Sequence, residues 1–220
     1  MSETPQLLTP VEARVLGVLI EKEKTTPDVY PLTVNSLTAG CNQKTSRDPV
    51  MNLSEGEVQA TLEELRSRFL VLETSGASGR VMRYAHNFGK GYQLPGAAVA
   101  LLAVLMLRGP QTVSELRANC DRLQRFADAS SVESYLEELA TRPEGALAVR
   151  LPKQPGSREH RWAHLLCGEL PAGHGVDQQT TAQAADRQDL ENRVARLEQE
   201  VAELRAELRS ALARLLPPAA

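Results

Sequence analysis

The chain repeats itself, and this constrains its fold more than any other feature. Thr33-Val34-x-x-Leu37-x-Ala39-x-Cys41 returns as Thr112-Val113-x-x-Leu116-x-Ala118-x-Cys120, offset by 79 residues. Val58-x-x-x-Leu62-Glu63-Glu64-Leu65 returns as Val132-x-x-x-Leu136-Glu137-Glu138-Leu139, offset by 74. Arg80-x-x-Arg83-Tyr84-Ala85-His86 returns as Arg158-x-x-Arg161-Trp162-Ala163-His164, offset by 78. Three matches in one order, with drifting offsets, mean two copies of one small unit joined by loops of unequal length. The 220 residues accommodate two such units and a tail. We divide them into a first copy at 1–95, a second at 96–170, a linker at 171–187 and a C-terminal helix at 188–216.

Each copy reads as three helices followed by a β-hairpin. In the first, Thr9, Pro10 and Glu12 form a capping signature ahead of Val11, Val15 and Leu19 at helical spacing. Thr33 caps a short second helix with Leu37 and Cys41 on its apolar face. Ser54 and Glu57 open a third, with Val58, Leu62, Leu65 and Phe69 directed inward. Two β-prone runs, Phe69–Glu73 and Arg80–His86, flank a Gly-rich connection and predict a hairpin. The second copy offers helices near Ala97–Leu107, after Thr112 with Glu115, and near Ser130–Thr141. Its strands are expected at Ala146–Leu151 and Arg158–Leu165. The loop before its third helix is about five residues shorter, which is the drop in offset from 79 to 74. This layout is that of a winged helix, so the expected fold is α+β, mainly α: two tandem winged-helix domains followed by a C-terminal coiled-coil helix. A generic α+β duplication is the alternative.

The tail carries a different signal. Leu190, Val194, Leu197, Val201, Leu204 and Leu208 recur in alternating steps of four and three. β-Branched residues at a with leucine at d favour a parallel two-stranded coil, which predicts a homodimer. The competing reading is one amphipathic helix folded back on its own domains.

The segment Cys41-Asn42-Gln43-Lys44-Thr45-Ser46-Arg47-Asp48-Pro49-Val50-Met51 resembles the signature of the YceH family, uncharacterised proteins of Gram-negative bacteria. Leu8-Thr9-x-x-Glu12-x-Arg14-Val15-Leu16-Gly17 and Thr25-Thr26-Pro27-Asp28-x-Tyr30-Pro31-Leu32-Thr33 are similar to that family too. The resemblance covers about residues 8–165 and implies two winged-helix domains in tandem, with no established activity.

Several classes of chemistry find no support. His160 and His164 share a strand face but stand about 13 Å apart, too far for one metal ion. Cys41 and Cys120 fit the small-hydrophobe role of free cysteine in a core. Gly89-Lys90-Gly91 lacks P-loop spacing. No catalytic constellation, metal site or cofactor motif is expected, and the chain is read as a non-enzyme. The longest apolar run, Ala97–Leu107, is about half a membrane span. Met1-Ser2-Glu3-Thr4-Pro5 has no basic or apolar signal region, and the 3 cysteines are scattered. These features set the expectation of a cytoplasmic protein.

Double-stranded DNA is the leading expected partner. A winged helix places its third helix in the major groove and its hairpin along the backbone. Asn42, Gln43, Lys44, Ser46 and Arg47 enter that helix in copy one, and the hairpins supply Arg80, Lys153 and Arg158. The charge balance argues the other way. The net charge is −3, and no segment forms a basic arm. Both third helices are acidic, through Glu55, Glu57, Glu63 and Glu64 in one and Glu133, Glu137 and Glu138 in the other. Acidic reading helices repel the phosphates that dominate affinity. The alternative is a protein–protein adaptor without direct DNA binding, for which the all-apolar helix at 97–107 is either an internal packing element or a subunit interface.

Overall fold

The computed structural model describes residues 7–75, 81–153, 156–157 and 159–168. All of these fall in one compact unit, Met1–Ala172. The linker and the heptad residues Leu190, Val194, Leu197, Val201, Leu204 and Leu208 lie outside the described residues.

Among the described residues the fold is α+β, with helices dominating and two small sheets. The first copy comprises α1 (Pro10–Thr25), α2 (Val34–Cys41), α3 (Glu55–Ser67) and an antiparallel pair, β1 (Val71–Ser75) and β2 (Met82–His86). A short connector, α4 (Phe88–Gly91), leads to α5 (Gly96–Arg108). The second copy continues with β3 (Gln111–Thr112), α6 (Val113–Cys120), α7 (Ala129–Ala140), β4 (Ala148–Arg150) and β5 (Arg161–His164). Its sheet runs β3-β5-β4. Copy one has a counterpart to β3, because Leu32 exchanges both backbone hydrogen bonds with Tyr84 on β2, at 3.1 and 2.8 Å. Gln111 pairs with Trp162 in the same place.

Helix starts follow local chemistry. Thr9 and Glu12 cap α1 reciprocally: the Thr9 N–H donates to the Glu12 carboxylate at 2.7 Å, and the Glu12 N–H to the Thr9 hydroxyl at 3.2 Å. Ser54 with Glu57 does the same for α3, and Thr112 with Glu115 for α6. Each box satisfies two backbone donors that a helix end leaves open. Asp128 caps α7, its carboxylate accepting from the Ser131 N–H at 2.8 Å.

One inward assignment is corrected. Phe69 is 74% exposed, and Leu70 takes the interior place at 5%. α3 stops at Arg68, and Phe69 adopts φ 55, in the left-handed region. That turn swings the ring outward and lets the Leu70 N–H donate to the Leu65 carbonyl at 2.9 Å. The first strand therefore begins at Val71 rather than Phe69.

The two copies are welded through their first helices. Every residue from Glu12 to Ile20 of α1 is buried, and every residue from Ala98 to Leu107 of α5. A helix apolar all round must be covered on more than one side, and here α5 packs on α1 as well as on α6 and α7. The helices approach so closely at Gly17 that a Cβ there would lie 2.9 Å from Leu107 Cγ. Each leucine fully buried in this seam contributes about 1.5–3 kcal/mol relative to exposure. Of the two expectations for the apolar helix, internal packing accounts for its burial.

Candidate nucleic-acid interface

The loop between α2 and α3 holds most of the polar residues that the sequence directs toward DNA, and the structure uses nearly all of them internally. The Asn42 amide bridges the loop, donating to the Leu53 carbonyl and accepting from the Leu53 N–H, both at 2.8 Å. Arg47 is enclosed, with none of its side chain exposed. Its guanidinium donates to both Glu21 carboxylate oxygens at 2.7 and 3.2 Å, and to the Gln43 side-chain oxygen at 2.6 Å. It also donates to the Gly40 carbonyl at 3.1 Å and the Ser46 carbonyl at 2.8 Å. The Ser46 hydroxyl in turn accepts from Arg108 at 2.7 Å.

These bonds make the loop a clasp between the copies. The Asp48 N–H donates to the Leu107 carbonyl of α5 at 2.8 Å. From α1, Arg14 donates to the Cys41 carbonyl at 3.1 Å and the Pro49 carbonyl at 2.6 Å. Arg14 is 1% exposed, and burial, with Arg47 close by, pushes its guanidinium below the ordinary arginine range. The corresponding loop of copy two, residues 121–128, is five residues shorter and makes no such clasp among the described residues. The Arg47 donors are thereby all occupied inside the protein, which supports a structural role for it over DNA reading. Asn42, Ser46 and, through its oxygen, Gln43 are committed in the same way.

Lys44 is the remaining exposed cation of this loop. Lys153, on the second hairpin, is also exposed, as is Arg122 between α6 and α7. Arg80 and Arg158 lie outside the described residues. Arg83 turns inward instead, donating to the Val29 and Pro31 carbonyls at 3.3 and 2.8 Å. The outward faces of α3 and α7 carry exposed Glu55, Glu57, Glu63, Glu64, Glu137 and Glu138, as the sequence requires.

The repeat-matched cysteines are buried, and the repeat-matched histidines partly so. Burial pushes the Cys41 and Cys120 thiols up to about 12, which removes the thiolate that reactivity needs. Burial lowers His164 to about 4, and its Nδ1 has no hydrogen-bond partner. His86 is lowered by burial too, opposed by the Glu23 carboxylate 3.4 Å from its Nε2, a contact not aligned as a hydrogen bond. Among the described residues no three His, Cys, Asp or Glu side chains gather as a metal site. Among them, too, no helix is long and apolar enough to cross a membrane.

Arg14 and Arg108 are the clasp residues that sequence reasoning passed over. The available signal was Arg14 itself, a lone cation inside the apolar stretch from Val11 to Ile20.

A family model described as "Protein of unknown function, DUF480" matches residues 8–157. The chain belongs to this family. That span contains the clasp, the first copy from Leu8 onward and the second copy through β4, in agreement with the resemblance read from residues 41–51. Relatives of the DUF480 chain include a UPF0502 protein of Dechloromonas aromatica (strain RCB), 55% identical over 208 residues, covering 94% of this chain and 96% of the relative. A UPF0502 protein of Leptothrix cholodnii is 52% identical over 214 residues, covering 91% and 95%. One from Acidovorax sp. (strain JS42) is 55% identical over 206 residues, covering 90% of each.

Proposed function

We propose that this DUF480 protein is a cytoplasmic, dimeric, tandem winged-helix protein that binds double-stranded DNA as a transcriptional regulator. The observation that carries the reading is the order helix, helix, helix, antiparallel strand pair, met twice, each sheet completed by a residue just ahead of the second helix. The DNA contacts are narrowed to Lys44 in the α2–α3 loop, just after α2, and Lys153 on the second hairpin, with Arg80 and Arg158 as further candidates. Cations at these places contact phosphate and set orientation rather than sequence. The dimer is assigned to the heptad residues Leu190 to Leu208, so a palindromic operator is expected.

The experiment is selection of genomic fragments by the full-length protein across a salt series, repeated with Lys44→Ala/Lys153→Ala. Enrichment of one motif, with the double variant lowering the salt slope by about two, supports the proposal. No enrichment near physiological salt, or an unchanged slope, refutes it.

A further inference from the structure

The two copies differ at one place in a way that leaves a site open. In copy one, Arg66 reaches from α3 to Glu73 on β1, and the two form an ion pair. Tyr84, opposite Glu73 on β2, is 3% exposed, and its hydroxyl lies 3.4 Å from the Gln59 amide and 3.5 Å from the Glu73 carboxylate. The repeat offset places Ala140 where Arg66 stands, and the strand register places Arg150 opposite Trp162 where Glu73 stands opposite Tyr84. The arginine side chain that crosses this space in copy one has no counterpart in copy two. An open groove of about 590 Å³ lies there, lined by Ala140, Glu137, Glu138, Arg150 and Trp162 among others.

The groove walls carry unused hydrogen-bonding groups. Among the described residues, the side chains of Glu137, Glu138 and Arg150 form neither ion pairs nor hydrogen bonds. Trp162 is 3% exposed and lines the groove; its indole N–H makes no hydrogen bond among the described residues and keeps contact with solvent. One wall therefore presents two carboxylates, and the other presents a guanidinium and an indole donor. Phosphate is repelled by the first wall. A peptide with a cationic side chain suits both: the cation meets the carboxylates, and backbone carbonyls accept from Arg150 and Trp162.

We infer that this groove docks an extended segment of a partner protein through an arginine or lysine side chain, in the space that Arg66 crosses in copy one. Lys44 belongs to the α2–α3 loop of copy one, whereas Lys153 follows Arg150 by three residues on the same hairpin, so the protein partner docks on copy two beside the proposed DNA contact at Lys153.

The single tryptophan makes the test direct, because its one indole resonance reports the groove. Full-length protein labelled with ¹⁵N-tryptophan is titrated with the blocked peptide Gly-Gly-Arg-Gly-Gly and with the same peptide carrying neutral citrulline for arginine. A saturable indole shift is expected, weakened about tenfold by citrulline and by Glu137→Gln/Glu138→Gln, since each removes a charge-assisted contact. Glu63→Gln/Glu64→Gln, the same charge change on copy one, leaves the shift in place. A resonance that stays still at millimolar peptide overturns the inference, as does an equal shift in the Glu137→Gln/Glu138→Gln protein. So does a shift produced by duplex DNA alone. Retention of DNA by the Glu137→Gln/Glu138→Gln protein separates this outcome from that of the DNA proposal.

Discussion

Replacing Arg47 with alanine decides whether the α2–α3 loop holds the fold or reads a ligand. The guanidinium has no exposed surface, while the Glu21 carboxylate it grips keeps 18% of its own. Removing one member of a fully buried ion pair costs about 3–5 kcal/mol, because the other charge is stranded. Water reaches Glu21, which moves the expectation to the lower end of that range. The Gly40 and Ser46 carbonyls and the Gln43 oxygen lose a donor as well. We expect a loss of about 3 kcal/mol, or roughly 6–12 °C in Tm for a folded unit of this size. Urea denaturation and calorimetry of the full-length protein measure it, and a double-mutant cycle with Glu21→Ala is expected to return a coupling of about 2 kcal/mol. Lys44→Ala, three residues away and exposed, is expected to stay within about 0.5 kcal/mol of the parent. If Arg47→Ala melts with the parent and instead loses DNA retention, the clasp argument is wrong and the loop is a reading element after all.

Gly17→Ala tests the seam between the copies: a Cβ 2.9 Å from Leu107 Cγ forces the Leu107 side chain or one of the helices to shift. The variant is expected to lose about 1–3 kcal/mol in urea despite alanine's better helix propensity, and a stabilised variant would show that the seam is loose. The His164 ring titrates near 6.5 when unfolded and at about 4 when folded. Between those values the unfolded chain holds more protons, so stability falls as pH drops below about 6.5 and levels off below about 4, by up to about 3 kcal/mol. His164→Gln is expected to flatten that decline in a pH series of denaturation curves, and an unchanged slope would place the linkage elsewhere.

Much of this architecture is written in short-range chemistry. Capping boxes at Thr9, Ser54 and Thr112 join residues three apart, so the sequence alone locates those helix starts. The repeat carries the rest of the layout, including the five-residue difference in loop length. Periodicity misplaces Phe69 because extending the i, i+3, i+4 pattern of α3 by one more step cannot detect a chain reversal at φ 55. The internal partners of Arg47 are hidden from the sequence for a different reason. An arginine in a polar loop has the composition of a binding residue, and its counter-ion, Glu21, lies 26 positions away on α1. The groove of copy two was latent in the alignment of Arg66 with Ala140, yet only the strand register revealed that its ion-pair partner Glu73 had changed as well.

The shared seam of α1 and α5 fixes the spacing at which the two copies can present any binding surfaces. Two modules on a flexible tether sample many separations, and each raises the other's effective concentration over a range of spacings. With α1 and α5 buried against one another, the copies of this protein behave instead like the jaws of a caliper set to one opening. Simultaneous engagement of both is reserved for targets that present their two features at that single separation, and a target stretched or compressed from it is held by one jaw alone.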